Sequence, residues 1–557
     1  MAPSRDELVF VPLGGLGEIG MNAALYGVGP QGRRQWILVD CGMGFAAEEH
    51  LPGVDLMYPD LSYIEADKKN LLGIVITHAH EDHIGALAEL WPRLGAPVYA
   101  TRFAIGLLET RRLSEPGAPK IPLHQVAPGR RFALGPFDIE YVPVAHSIPE
   151  SNALAIRTPH GLVLHTGDWK LDDTPYVGST TDESRFRALG DEGVLALVGD
   201  STNVVREGRS PSESDVAKRL AELIAAAPHR VAVTTFASNV ARLKAVAAAA
   251  EACGREAVLV GRAMDRVAEV ASECGYLDGV PEFRPPNAYG YFPRDKVVAL
   301  LTGSQGEPRA ALARVADDEH PEVALSPGDQ VIFSSRTIPG NEKEVGRIVN
   351  TLLRRGIDVI TDRTELVHVS GHPRRDELAA MYRWTRPRIA VPAHGEDLHL
   401  AEHAAFARAQ GVQEVVRARN GSVVRLAPGP AAIVGEVPFG RLYKDGDIVV
   451  GAAERAMPER RKLSFAGIVS VAIAIDERGE VAGDPVIEVM GLPAKSRRGD
   501  SIPDLVADAV GDVLDGMPRG RRRDPEAVEQ AVVRAVRSTV QGVWGKKPAC
   551  HVLVVEV

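Results

Sequence analysis

Three histidines and two acidic residues fall within six consecutive positions, in the run Thr77-His78-Ala79-His80-Glu81-Asp82-His83. Imidazole nitrogens and carboxylate oxygens are ligands for zinc-like cations. On an extended backbone His78 and His80 point the same way, while Asp82 and His83 lie on the following turn and can reach a second point. The spacing therefore predicts two adjacent metal ions. A polar surface turn is the alternative, disfavoured because only 16 of the 557 residues are histidine.

Two elements would hold this cluster in place. The apolar run 71–76 predicts a buried strand, and 84–91 predicts a helix. Two metals need about seven or eight protein ligands, so further histidines or acids should follow other strands. His146, Asp168 and His394 each follow an apolar run, and the Asp168 carboxylate could bridge both ions. Taken singly, each could be a capped polar residue at a strand end; as a set they complete one site.

A second motif, Gly15-Leu16-Gly17-Glu18-Ile19-Gly20, matches the GxGxxG pattern of dinucleotide-binding proteins, and Asp40 lies downstream where an acid is expected. That pattern requires a helix to open inside the motif. The residues that follow, 21–29, are instead punctuated by glycine. They predict the second strand of a hairpin, with a glycine-rich turn that lets backbone pass close to a site.

The composition is that of a globular chain longer than one domain, since domains average about 100–200 residues. No apolar run is long enough for a membrane span, and the first residues lack a signal-peptide pattern. Four scattered cysteines without a CxxC pair fit a reducing cytoplasm, so we expect a cytoplasmic protein. The net charge of −10 argues against a general nucleic-acid-coating protein, but a nuclease with a local basic channel is compatible with it.

The pattern of elements changes along the chain. Short strands with few helices predominate up to about residue 205 and again over 365–440. Between them, over 206–364, longer helices alternate with strands, which predicts a parallel sheet with helices on both faces. A weakly patterned segment, 441–463, predicts a linker, and 464–557 predicts a compact β-β-α-α-β unit.

The full set of motifs resembles the metallo-β-lactamase fold, with its HxHxDH run, later His, later Asp and final His. Asp40 resembles the buried aspartate of that fold, which orients the site without binding metal. The inserted segment resembles the β-CASP domain of nucleic-acid-processing members. Its associated motifs match 199–203, which contains Asp200, then 368–372, then His394. With 302–308 and the C-terminal unit, the chain as a whole resembles ribonuclease J. The run 45–50 departs from the family's usual Phe-Pro-acidic pattern.

This resemblance implies an α/β fold class. A metallo-β-lactamase αββα sandwich (1–205 and 365–440) would be interrupted by a β-CASP α/β domain (206–364). A linker (441–463) would lead to a small C-terminal α+β oligomerisation domain (464–557).

The resemblance also implies a di-zinc hydrolase, with Mn²⁺ as the alternative metal. One zinc would be held by His78, His80, His146 and Asp168, and the other by Asp82, His83, Asp168 and His394. A metal-bridged hydroxide would attack the phosphodiester. The catalytic set implied is Asp82, Asp168 and His372, where His372 donates to the phosphate or the leaving oxygen, and Asp40 and Asp200 support the site.

Family members degrade RNA from a 5′-monophosphate end and can also cut internally, in RNA maturation and decay. The phosphate would lie against the loop formed by His368, Val369, Ser370, Gly371 and His372, whose N–H groups and hydroxyls suit an anion. We expect Ser238, Asn239 and Val240, at a strand-to-helix junction, to contact the terminal nucleotide; helix capping is the alternative. The implied partners are RNA, a second copy in a dimer or tetramer formed through the C-terminal domain, and an RNA-degradation complex, with no membrane.

Three other functions stay open on the sequence alone. A hydrolase of small esters, thioesters or lactams could use the same fold, although it would need neither the insert nor the loop 368–372. A non-catalytic RNA-binding subunit would be expected to lack metal ligands. A DNA-directed β-CASP enzyme stays an alternative because only the resemblance to RNA-directed members speaks against it. The basic run 519–523 is either a solvated loop or an RNA contact.

Overall fold

The computed structural model describes residues 6–45, 51–54, 56–114, 117–338 and 340–557. Most of the unusual run 45–50 lies outside these ranges. The described chain divides into two compact units, one comprising residues up to 44 with 57–442 and the other 45–56 with 443–557. None of its helices is long and apolar enough to cross a bilayer.

Two mixed β-sheets pack face to face in the larger unit. Their inner faces share one core, to which Phe10, Tyr26, Tyr141 and Ile156 contribute side chains without solvent exposure. Across the first sheet the strands lie in the order Ala432–Glu436, Ser422–Ala427, Asp6–Gly14, Ala23–Pro30, Gln35–Val39, Leu71–Val75, Val98–Ala100 and Leu123–Gln125. Across the second the order is Glu414–Val415, Ile389–Ala393, Val194–Asp200, Gly161–His165, Asn152–Thr158, Phe137–Pro143 and Arg131–Leu134.

Helices cover the outer faces and complete the predicted αββα arrangement. On the second sheet, Phe186, Leu189, Met381 and Trp384 are buried in a further core against the strands. The helices of this part are Ser62–Glu65, Lys68–Asn70 (a 3₁₀ turn), Glu81–Ile84, Leu87–Leu94, Arg102–Ser114, Glu183–Glu192, Arg375–Thr385 and Asp397–Ala409.

The sequence from 206 to 364 forms the predicted parallel α/β insert. Its sheet has the strand order Glu256–Val260, Val297–Leu301, Val231–Thr234, Gln330–Phe333 and Asp358–Ile360, with every pair parallel. The strands read as nearly continuous apolar runs because both faces are covered. The covering helices are Glu213–Ala226, Val240–Ala252, Arg262–Glu273, Pro286–Tyr291 (a 3₁₀ helix), Ala311–Ala316 and Glu342–Arg354.

The smaller unit has its own core, formed where two long helices pack on one face of a three-stranded sheet. The strand order is Val486–Met490, Ile468–Ile475 and Ala549–Glu556, and the helices are Ile502–Gly516, Arg519–Arg522 and Pro525–Trp544. The two long helices present isoleucine, valine or leucine at every fourth position, as an amphipathic helix does. The β-β-α-α-β order is confirmed, with one additional short helix that contains much of the basic run 519–523.

The predicted linker, 441–463, is wrong. It contains the strands Arg441–Asp445 and Ile448–Gly451 and most of the helix Ala456–Ala466. Few apolar residues order this polar segment, so its pattern is weak: Tyr443 and Met457 are buried, and Arg460 forms two hydrogen bonds to Asp445 (2.9 and 2.7 Å). Consequently the next strand begins at Ile468 rather than at the predicted 464.

The predicted helix 84–91 is also divided. The chain forms one turn, Glu81–Ile84, and then a helix from Leu87 to Leu94. The division has a clear cause, because the N–H of Ala86 donates to the Cys41 carbonyl (3.1 Å) rather than to the preceding turn. No helix opens in the glycine motif 15–20; the hairpin strand Ala23–Pro30 follows, as predicted.

Candidate metal centre

The strands that precede the predicted ligands end at the same edge of the second sheet. Strands Gly161–His165, Val194–Asp200 and Ile389–Ala393 run parallel, and Phe137–Pro143 has the same direction through two antiparallel pairings. Their carboxyl ends therefore present Asp168, His394 and His146 at one edge, a common place for a site in α/β proteins. The turn after strand Leu71–Val75 brings the HxHxDH cluster to the same place.

Four side chains form the first ligand group. His80 Nδ1 lies 3.1 Å from His78 Nε2 and 3.0 Å from His146 Nε2. Asp168 Oδ2 lies 3.8 Å from each of the other two nitrogens. Four ligands on a tetrahedral zinc, with bonds of about 2.0–2.1 Å, would be separated by about 3.3 Å. The four measured separations bracket this value, so the four side chains could hold one zinc ion.

The second group shares Asp168. Its Oδ2 lies 3.3 Å from His83 Nε2, while Asp82 Oδ2 lies 3.6 Å from His83 Nε2 and 3.5 Å from His394 Nε2. The buried His394 Nε2 has no hydrogen-bond partner among the described residues. A buried nitrogen without a partner is costly unless something binds it, and a cation between Asp82, His83 and His394 would satisfy it. The residues present thus fit two cations that share one carboxylate oxygen.

The surroundings of the two groups shift the pKa values of their histidines in opposite directions. Burial lowers the pKa of His78, His80 and His146, that of His80 to about 4. In the second group burial acts the same way, but nearby carboxylates outweigh it. Asp168 is the strongest of these, and the pKa of His83 is raised while that of His394 is raised to about 10. The carboxylates of the second group therefore favour positive charge beside them.

Asp40 lies behind the second group, where its carboxylate contacts the predicted ligand His83. Its Oδ2 lies 2.7 Å from His83 Nδ1, and it accepts hydrogen bonds from the N–H and the hydroxyl of Thr77, both at 2.8 Å. This arrangement fixes the tautomer that leaves His83 Nε2 facing the cation position. The orienting role that the resemblance implied for this aspartate stays a prediction, which this contact supports.

The loop 368–372 reaches the centre from the other side. The carbonyl of Gly371 lies 2.7 Å from His146 Nδ1, so this loop orients a ligand of the first group. His372 Nδ1 lies 2.8 Å from Asp200 Oδ2, and burial, which would lower the pKa of His372, is outweighed by Asp200 and Asp168, which raise it. His372 thus lies beside the metal ligands with its second ring nitrogen, Nε2, available to a substrate.

The proposed phosphate-binding residues have different environments. His368 is buried, and its Nδ1 has no partner among the described residues. Burial and then the positive charges of Arg242, Arg336 and Lys170 lower its pKa. Val369 is buried in the core, while Ser370 is partly exposed and accepts a hydrogen bond from Asn203 Nδ2 (2.9 Å).

At the strand-to-helix junction of the insert, Asn239 caps the helix Val240–Ala252 by accepting a hydrogen bond from the N–H of Arg242 (3.0 Å). The side chain of Val240 is fully buried, whereas Ser238 is partly exposed. The Phe236 ring lies 6.4 Å from that of His368 between centroids. The junction thus lies close to the loop, but only Ser238 of its three predicted residues presents a side chain that is neither capping nor buried.

The sequence did not single out several side chains that support the centre. Asn203 Nδ2 donates to Ser370 and to the His372 carbonyl (3.1 Å), and Asn22 Nδ2 donates to the Asp82 carbonyl (3.1 Å). Asn203 closes the motif 199–203, so its place in that run was a signal. Asn22 follows the glycine motif, and only the predicted close passage of that turn pointed to it.

Four family models match successive parts of the chain. The metallo-β-lactamase superfamily model matches residues 22–229 and the ribonuclease J β-CASP model 228–352. A model described as a zinc-dependent metallo-hydrolase RNA specificity domain matches 356–417, and the ribonuclease J C-terminal domain matches 455–557. A curated ribonuclease J from Sinorhizobium meliloti is 54% identical over 552 residues, covering 99% of this chain and 98% of its own.

The chain belongs to the ribonuclease J family. The ribonucleases J of Mycolicibacterium smegmatis and Thermus thermophilus are 38% and 36% identical, each across at least 98% of this chain and 96% of their own length. A solved structure, an Enterococcus faecalis protein of unknown function, superimposes with a TM-score of 0.52 at 16% identity, covering 75% of this chain and all of its own; it supports the fold alone.

Membership in the ribonuclease J family confirms the predicted class and architecture: a hydrolase of the zinc-dependent metallo-hydrolase type, with a metallo-β-lactamase domain, an inserted β-CASP domain and the family's C-terminal domain.

Proposed function

We propose that this chain is a di-zinc ribonuclease that degrades RNA in the 5′ to 3′ direction from a 5′-monophosphate end and can also cut internally, in RNA maturation and decay. The observation that carries the proposal is the sharing of Asp168 Oδ2 between two ligand groups of zinc-like spacing. Two zinc ions, when bound, supply an activated water and neutralise charge on the phosphate.

The protein's own residues would perform the remaining work. Asp168 belongs to both ligand groups and would fix their relative position. Its Oδ1 lies 2.7 Å from His394 Nδ1, and this contact orients the His394 ring. Asp82 completes the second group. With Nδ1 committed to Asp200, His372 would present Nε2–H to the scissile phosphate or to the departing 3′-oxygen. A general acid in that position typically contributes about 10²–10⁴-fold to the rate.

The preference for a 5′-monophosphate would come from the loop 368–372. His368 lies in a positive field with a ring nitrogen that has no partner among the described residues. Ser370 and the N–H of Gly371 add neutral donors, and a phosphate monoester, which carries nearly two negative charges at pH 7, suits such a pocket. A 5′-triphosphate is larger and a 5′-hydroxyl lacks the charge, so both would bind less well. Ser238 is the residue of the junction 238–240 best placed to meet the terminal nucleotide.

Other parts of the proposal rest on family membership. The C-terminal unit would form the dimer or tetramer, and RNA-degradation proteins would be partners. A cytoplasmic location would agree with the four free thiols.

The test uses one RNA sequence with a 5′-monophosphate, a 5′-triphosphate or a 5′-hydroxyl, together with single-stranded DNA and a small carboxylic ester. Zinc-loaded protein should release mononucleotides from the 5′-monophosphate RNA, and His80→Ala should abolish this. Ser370→Ala should reduce the preference for the monophosphate and keep internal cleavage. Ester hydrolysis without cleavage of any RNA, or cleavage of DNA alone, would refute the proposal.

A further inference from the structure

The imidazole of His403 lies in the core beneath the metal centre and is not a ligand. It projects from the helix Asp397–Ala409, and its ring has no solvent exposure. His403 Nδ1 lies 2.8 Å from Ser201 Oγ, and Nε2 lies 2.9 Å from the hydroxyl of Tyr382 on the helix Arg375–Thr385. A continuous hydrogen-bonded chain therefore joins two covering helices to the end of the strand Val194–Asp200.

Burial fixes the protonation of this chain. It lowers the pKa of His403 to about 4 and raises that of Tyr382, so both are neutral at pH 7. A neutral imidazole has one donor and one acceptor. If the Tyr382 hydroxyl donates to Nε2, Nδ1–H donates to Ser201 Oγ, whose proton faces the Gly199 carbonyl at 3.5 Å. The opposite direction leaves the Tyr382 proton without an acceptor among the described residues, so the first direction satisfies every group.

The His403 ring also packs against the backbone of the same strand end. A Cβ on Gly199 would lie 3.3 Å from His403 Cε1 and 2.9 Å from Leu197 Cδ2, which is closer than side chains normally approach. The ring therefore holds Gly199 by packing and Ser201 by a hydrogen bond. Asp200 lies between these two residues and is the partner of His372 Nδ1.

The same strand end contacts a metal ligand through its backbone. The N–H of Ser201 donates to the carbonyl of His394 (3.3 Å), and the N–H of Asp200 donates to the hydroxyl of Thr166 (3.1 Å). A shift of a few tenths of an ångström at 199–201 would therefore reach His372 first, through a direct side-chain bond. It would reach His394 through the backbone, by the Ser201 bond and by the pairing of Asp200 with Ala393, and through the Thr202 hydroxyl (3.3 Å from the His394 carbonyl), but not through a bond to the His394 ring.

We propose that His403 is a positioning residue, which fixes the Asp200–His372 pair by clamping Gly199 and Ser201 and touches neither metal nor substrate. This inference rests on the proposed function of His372. His403 would differ from the many buried residues that only add stability, because its effect on turnover should pass through one side chain, that of His372.

Four variants test the clamp in zinc-loaded protein. His403→Leu removes both hydrogen bonds and should lower kcat about tenfold, within the range for residues one step behind a reactive group, with KM changed less than about twofold. His403→Asn retains a donor near the position of Nδ1 and should recover most of the loss. Tyr382→Phe should cost about threefold. The matched control is Thr385→Val, which removes a buried hydroxyl from the same helix as Tyr382. This hydroxyl donates to the Met381 carbonyl within that helix, so its loss should leave kcat unchanged.

A double-mutant cycle then separates positioning from stability. In a His372→Ala background, His403→Leu should cost less than about twofold, because the positioned group is absent. Zinc content should equal that of the unmodified chain. An equal loss in both backgrounds, a lower zinc content, or His403→Asn no better than His403→Leu would overturn the inference.

Two further readouts keep this test independent of the RNA substrate. The double-mutant cycle is also measured with bis(p-nitrophenyl) phosphate as the substrate. Hydrolysis of this diester without cleavage of RNA would refute the proposed function, and the cycle on the diester would still test the role of His403. Spectra of ¹⁵N-histidine-labelled protein need no turnover. His403→Leu should shift the His372 ring resonances, and Thr385→Val should not; unshifted His372 resonances would contradict the clamp.

Discussion

Asp40 is a buried carboxylate whose hydrogen bonds fix the orientation of one predicted metal ligand, His83. It accepts two hydrogen bonds from Thr77 and one from His83 Nδ1. The contact with His83 Nδ1 leaves Nε2 as the ring nitrogen that faces the cation position. The residue is fully buried, so no water can replace a lost bond cheaply.

We therefore predict that Asp40→Asn weakens zinc binding about 10–100-fold, the usual cost of removing such a partner. The amide oxygen of asparagine can still accept one hydrogen bond from Thr77. Its NH₂ group, however, would face a second hydrogen-bond donor. The loss should fall on the group Asp82–His83–His394, so about half of the bound zinc should be released first. Zinc retained after dialysis against graded chelator measures this. Asp200→Asn is the matched control and should lower kcat while zinc content is retained; equal release by both variants would contradict the assignment.

At the scale of elements, the loop 368–372 and the strand end before His146 form one unit. Gly371 gives its carbonyl to His146 Nδ1, and no side chain fits at this glycine. A Cβ there would lie 2.5 Å from His146 Nδ1 and 2.9 Å from Ser147 Oγ. The glycine is thus required by the close approach of a ligand ring.

Gly371→Ala should displace the His146 ring, lower activity by more than about 100-fold and reduce zinc held by the first ligand group. The neighbouring Ser370→Ala removes a hydroxyl that accepts hydrogen bonds from Asn203 Nδ2 and from the N–H of His372 (3.4 Å), neither of which is a predicted metal ligand, so it should retain zinc while substrate preference changes. Zinc stoichiometry measured beside activity distinguishes the two. Full zinc content in Gly371→Ala would contradict this prediction, because it would show that the loop moves while the His146 ring stays in place.

A second pair of elements is joined by Glu140, whose carboxylate receives hydrogen bonds from Arg185 (2.6 and 2.8 Å) and Arg157 (2.9 Å). Burial would raise the pKa of Glu140, but these bonds outweigh it, and the pKa lies below the ordinary 4.5. A lowered folded-state pKa stabilises the protein fully above the unfolded value, and this contribution is lost as pH falls through the folded value.

Glu140→Gln should therefore lower the free energy of unfolding by about 1–3 kcal/mol at pH 7, and the difference should shrink below pH 4.5. Urea midpoints at pH 7 and at pH values below 4.5 measure it. Glu183→Gln, which breaks an exposed pair with Arg187 nearby, should change stability by less than about 0.5 kcal/mol. A difference that grows on acidification would reverse the sign and refute the argument.

Local patterns explain which parts of this fold could be predicted. Apolar periodicity predicted the alternation of the insert and the strands before His78, His146, Asp168 and His394. The structure brings these four residues together. The segment 441–463 lacks such a period because few buried anchors order it. The contacts of Asn203 and His403 join residues far apart in the chain, so no spacing rule reveals them. The capping role of Asn239 was foreseen only as an alternative.

At the scale of the molecule, the metal centre and the C-terminal core belong to different compact units. The larger unit contains every ligand of both groups, whereas the smaller one is stabilised by valines and leucines packed between two helices and a sheet. A ligand that binds only the folded form stabilises the unit that holds it, by about 2.7 kcal/mol at a hundredfold excess over Kd.

Differential scanning calorimetry should consequently resolve two transitions. Removing zinc with a chelator should lower the one that belongs to the larger unit by about 5 °C, given roughly 2 °C per kcal/mol for a chain of this size. The other transition should stay in place, because no residue of its core is a ligand. Val532→Ala, in that core, is the converse control and should lower only the second transition, by removing buried apolar volume. If chelation moved both transitions equally, the metal centre and the C-terminal core would have to unfold as one cooperative unit.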